Sequence, residues 1–131
     1  MKKLTTLILL LLSPLVMAQE KQVWACQMEA GSQLSWRDGG WNLRGVSPRT
    51  ILFTINTDNT AKAKESGVDS ELYLKCVKSS WLSCLGDSDS THYLFDSETG
   101  KLGVSYLLGA VSTSENNRDS IASVSFNCTK F

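Results

Sequence analysis

Apolar and polar side chains alternate with a period of two along much of this chain, the pattern of strands that bury one face. In residues 22–29 (QVWACQME), Trp24, Cys26 and Met28 fall on one side and Val23, Ala25 and Gln27 on the other. Residues 121–130 (IASVSFNCTK) repeat the pattern, with Ala122, Val124, Phe126 and Cys128 set against Ile121, Ser123, Ser125 and Asn127. Residues 33–36 and 41–44 flank Arg37-Asp38-Gly39-Gly40, a turn rich in residues that tolerate positive φ, and so predict a hairpin. Residues 50–56 (TILFTIN) and 71–77 (ELYLKCV) are rich in β-branched and aromatic residues, and turn clusters at 57–60 and 66–70 bound them. Residues 91–95 and 101–108 bracket Asp96-Ser97-Glu98-Thr99-Gly100, with Gly100 at the left-handed position that ends such a loop. Residues 61–65 read either as an edge strand of alternating small and charged residues or as one helical turn capped by Thr60.

Seven to nine short strands, with no amphipathic helix after the N-terminal stretch, predict an all-β fold: a small antiparallel β-barrel or β-sandwich. Residues 1–18 stand apart. Lys2 and Lys3 precede the apolar run LILLLL, and Val16-Met17-Ala18 supplies small residues for cleavage, which together read as a signal peptide. Residues 19–131 are then a single all-β domain, exported by the general secretory route to the periplasm or beyond. The Lys-Lys-led leader suits a Gram-negative host. No later stretch is long and apolar enough to span a membrane, and Cys26 lies too far past the cut for a lipid anchor.

Export changes how the four cysteines are read. Thiols in an oxidising compartment pair, and sequence permits three connectivities for Cys26, Cys76, Cys84 and Cys128. The preferred pairing is Cys76–Cys84, around a short hairpin connection, with Cys26–Cys128 tying the first mature strand to the last. The second bond would make the terminal strands neighbours and so favour a closed barrel. No C-x-x-C spacing suggests zinc, and His92 is the only histidine, so no metal ligand set and no cofactor are expected.

The 13 basic and 13 acidic residues balance, and loss of Lys2 and Lys3 with the leader leaves the remainder mildly acidic. Without a dense basic stripe, nucleic acid is not an expected partner. Catalytic signatures are absent too: there is no phosphate loop, and Gly103-Val104-Ser105-Tyr106-Leu107 lacks the second glycine of a nucleophile elbow. A triad of His92 with a serine and Asp87 or Asp96 is conceivable, but a surface histidine on a strand is the plainer reading. The acidic stretch from Asp87 to Glu98 imitates a calcium loop, yet His92 occupies the position that needs glycine. Acids elsewhere sit mostly in turns, where they serve backbone hydrogen bonds.

The tryptophans are the remaining candidates. Trp36 and Trp41 flank the Gly39-Gly40 turn, with Arg37 and Arg44 beside them. They pack as a cross-strand pair or form a platform for an amphipathic ligand or a protein partner. Cys26, the Trp36-x-x-Gly39-x-Trp41 pattern, the Cys76 and Cys84 pair, the Phe95…Thr99-Gly100 hairpin and the closing Phe126-x-Cys128 span most of the mature chain. On these residues the chain resembles a loose group of short exported bacterial β-rich proteins with no established activity, so the likeness implies no catalytic residue. In size, export, β content and terminal cysteines it is also similar to periplasmic lysozyme inhibitors, without their inhibitory loop. The expected function is a non-enzymatic binding module for a small amphipathic ligand or a protein partner. The alternative is an enzyme inhibitor acting through residues 111–120 or the Cys76–Cys84 loop.

Overall fold

The computed structural model describes residues 20–88, 90–107 and 120–131. The leader, Asp89 of the acidic stretch, and residues 111–119 of the expected inhibitory segment lie outside the described residues. Nine strands are present among those described: β1 (Gln22–Arg37), β2 (Gly40–Gly45), β3 (Thr50–Ile55), β4 (Thr60–Glu65), β5 (Leu72–Lys78), β6 (Leu82–Gly86), β7 (His92–Asp96), β8 (Lys101–Tyr106) and β9 (Ser120–Lys130). Each pairs antiparallel with its neighbour in the order β2-β1-β3-β4-β5-β6-β7-β8-β9, and β9 returns to pair with β1. Eight strands therefore close a barrel, and β2 is an extra strand on one edge of it. Of the two predicted architectures, the barrel is the one formed. Closure leaves no open edge in the wall among the described strands.

Strand β1 makes closure possible by serving three neighbours. Its first half, Gln22 to Gln27, pairs with β3, while Ser32 to Arg37 pairs with β2 on the same side. Along its other side it follows β9 from Trp24 to Ser35, interrupted by a bulge between Met28 and Ala30. The residue inside that bulge, Glu29, reaches Lys101 Nζ at 2.8 Å on the outer surface. The sequence pattern broke this strand into two pieces, 22–29 and 33–36. The bulge explains the break: one inserted residue shifts the alternation without ending the pairing.

Segment 61–65 is strand β4, and it lies inside the sheet between β3 and β5. Ala61 and Ala63 point inward and are buried, while Lys62 and Lys64 alternate outward. The small-and-charged pattern that suggests an edge here reflects a narrow barrel wall with one wet face.

The interior is unevenly filled. Trp24, Phe53, Ile55, Leu74, Leu82, Phe95 and Leu102 are all buried towards the end where β1 begins. Trp24 meets Phe95 edge-on at 4.9 Å, and Phe53 stacks with Tyr93 at 6.1 Å, arrangements that suit the ring quadrupoles. Both disulfides form as expected, Cys26–Cys128 and Cys76–Cys84, each between residues directly opposite in register. Cys26 is fully buried, so the first bond fastens the barrel seam from within.

Candidate functional site

Towards the other end the inward positions carry shorter side chains: Ala63 on β4, Val104 on β8, and Ala122 and Val124 on β9. A wall of the same circumference with smaller residues cannot fill its interior. A cavity of about 550 Å³ results, opening between the starts of β3, β5, β7 and β9 and the ends of β4, β6 and β8. Its floor is apolar, built from Ile51, Ala63, Leu72, Tyr93, Val104, Val124 and Phe126. Its rim is polar, with Gln33, Arg49, Glu65, Ser70, Glu71, Ser88 and Tyr106. Such a volume lies within the range that encloses small organic ligands.

Charge is confined to one sector of the rim, where three consecutive strands turn. Arg49 Nη1 stands 3.5 Å from Glu65 Oε2, and Lys62 Nζ stands 3.2 Å from Glu71 Oε2. The hydrogen bond and charge of Glu71, with a smaller contribution from Tyr73, hold the Lys62 ammonium above its ordinary range. Lys62 also lies 4.8 Å over the Tyr73 ring on the outer wall. At the filled end a second cavity of about 50 Å³, lined in part by Trp81, Asn59 and Ser97, has room only for water.

The four residues singled out in the hairpin do not form one cluster. Trp36 and Trp41 are brought together: they are register partners with ring centroids 5.5 Å apart, crossed at 77°. Each is 42% exposed, and they share an outward face with Leu34 and Leu43. Arg37 and Arg44 occupy the opposite face, because Arg44 pairs with the inward-facing Gln33 and Arg37 lies four pairs further along, an even number that keeps it on the same face. Neither indole lines the cavity. Trp24 is core, and Trp81 stands exposed within the Cys76–Cys84 loop. The Asp38-Gly39 turn has positive φ at both residues, 52° and 77°, which is the geometry of a two-residue I′ hairpin.

His92 accepts or donates a 2.8 Å hydrogen bond with Ser83 Oγ on the exposed outer wall. Among the described residues that is the only side-chain partner of the imidazole, so the pair has no orienting carboxylate, and it lines neither cavity. Asp87 instead bridges Lys75 at 2.9 Å, and Asp96 caps its own turn. Among the described residues no group of three or more His, Cys, Asp or Glu side chains is gathered to hold a metal. No described helix is long and apolar enough to cross a membrane.

The cavity residues were not legible beforehand as a site. Alternation marks Ala63, Val104, Ala122 and Val124 as inward-facing, but only the register places these short side chains at one end of the barrel.

The fold and this mouth define a small closed antiparallel barrel, seamed by two disulfides and open at one end. No family model matches the chain, and no curated protein or solved structure matches it either.

Proposed function

We propose that this protein is an exported, non-catalytic binding module that holds a small amphipathic ligand in the mouth of its barrel. The observation that carries the reading is the cavity itself, about 550 Å³ with an apolar floor and a charged, hydroxylated rim. An apolar body entering it would leave water, gaining about 25 cal/mol for each Å² buried, while a polar head stays at the rim. Export is supported by the leader pattern in residues 1–18 and by two disulfides, which persist in oxidising compartments.

A neutral apolar fluorophore, N-phenyl-1-naphthylamine, tests this with the oxidised chain. Its emission should rise and saturate, and Ala122→Leu or Val124→Met should reduce the response severalfold by filling the cavity while circular dichroism stays unchanged. No saturable binding, or binding indifferent to both fillings, would remove the cavity as the site.

A second reading rests on a separate observation. The outward hairpin face carrying Trp36, Trp41 and the 74% exposed Leu43 is the kind of aromatic surface that anchors protein partners. In that case Trp41→Ala would abolish partner capture and leave the fluorophore untouched.

A further inference from the structure

We infer that the mouth selects amphiphiles with a cationic, ammonium-type head over anionic ones; this rests on the cavity being the ligand site. Among the described residues the charged groups lining it are two carboxylates, Glu65 and Glu71, and one guanidinium, Arg49. Arg49 is already committed to Glu65 at 3.5 Å. The lysine that accompanies Glu71 is not a lining residue. Lys62 sits on β4 between the inward-facing Ala61 and Ala63, so it approaches Glu71 from the outer wall and lines no part of the cavity. Among the described residues that line the mouth, a ligand head therefore meets two carboxylates to one cation.

The remaining chemistry agrees in sign. Tyr106 at the rim supplies aromatic surface of the kind that attracts ammonium groups. The floor holds no charged side chain, so a hydrocarbon or aromatic body fits there and the head is left at the Arg49, Glu65 and Glu71 sector. An anionic head in the same place would meet both carboxylates, and Arg49, the one cation among the described lining residues, is already bridged. Because these groups are half-exposed, the discrimination is modest and salt-sensitive.

The test is displacement of N-phenyl-1-naphthylamine by decyltrimethylammonium, decanoate and decyl maltoside, each below its micelle concentration. The ammonium should displace the fluorophore at about one-tenth the concentration of decanoate, a difference of about 1.4 kcal/mol. The preference should shrink in Glu71→Gln, vanish in Glu65→Gln/Glu71→Gln, and fade at about 0.5 M salt. If the fluorophore binds and cavity filling blocks it, yet decanoate equals or beats the ammonium, the head-group inference fails and the cavity reading stands. If the fluorophore does not bind, or ignores the fillings, both fail together.

Discussion

At Gly100 two constraints coincide on one residue. Its φ of 68° is strained for any L side chain, and a Cβ there would stand 2.5 Å from the Cys128 carbonyl oxygen. The glycine carbonyl also accepts the Cys128 N–H at 2.7 Å, so the turn cannot move away without loosening β9. Gly100→Ala should therefore cost about 2–4 kcal/mol, read as a lower urea midpoint with unchanged slope. A few residues earlier, the Asp96 carboxylate accepts bonds from the Thr99 hydroxyl at 2.8 Å and the Glu98 N–H at 2.9 Å. These bonds, the Thr99 one foremost, hold its carboxyl below the ordinary value of 3.8; Thr60 does the same for Asp58. Because the folded form binds its proton less readily, the unfolded chain takes up protons first as pH falls. Stability from these turns is thus complete above about pH 4 and is lost as pH drops through the lowered folded values. Hydrogen exchange at the Glu98 amide should accelerate on acidification in that window, and Asp96→Asn should remove the dependence. The turn at Gly100 was readable from sequence because a Thr-Gly after acidic residues is local chemistry. The Cys128 carbonyl beside it was not, since it lies far along the chain.

Among the elements, the β1–β2 hairpin shows what alternation can and cannot say. Pairing Trp36 with Trp41 across an Asp-Gly turn was legible, because turn length fixes register. The same pleat then separates the indoles from Arg37 and Arg44, which adjacency in sequence had grouped with them. In the double-mutant cycle of Trp36→Ala and Trp41→Ala, the coupling should be about 0.5–1.5 kcal/mol, measured by chemical denaturation. Fluorophore binding at the mouth should not change in either variant, since the indoles face away from it. Strand β1 itself was read as two because the bulge at Glu29 breaks the period, and β4 was ambiguous because its neighbours on both sides are supplied by the fold.

At the scale of the molecule, the two disulfides constrain very different lengths of chain. Cys26–Cys128 joins residues 102 apart, and Cys76–Cys84 residues 8 apart. Loop-closure entropy assigns the long bond about 4–5 kcal/mol and the short one about 2–3 kcal/mol. Replacing Cys26 and Cys128 by alanine should thus lower the melting temperature more than replacing Cys76 and Cys84. Burial of the first pair inside the core adds a packing loss in the same direction. The barrel seam would then depend on β1–β9 pairing alone.

The sequence by itself determined most of the strands, the tight turns, the alternating faces of the terminal strands and a preference among three cysteine pairings. All of these follow from local periodicity, local backbone preference or simple counting. The closed barrel, the continuity of β1 through its bulge, the separation of the tryptophans from the arginines, and the cavity were decided only by the tertiary structure. Each depends on how distant strands align, and that alignment is set by closing the sheet on itself rather than by any one segment. Short side chains scattered over β4, β8 and β9 become a pocket only when the register brings them to the same end.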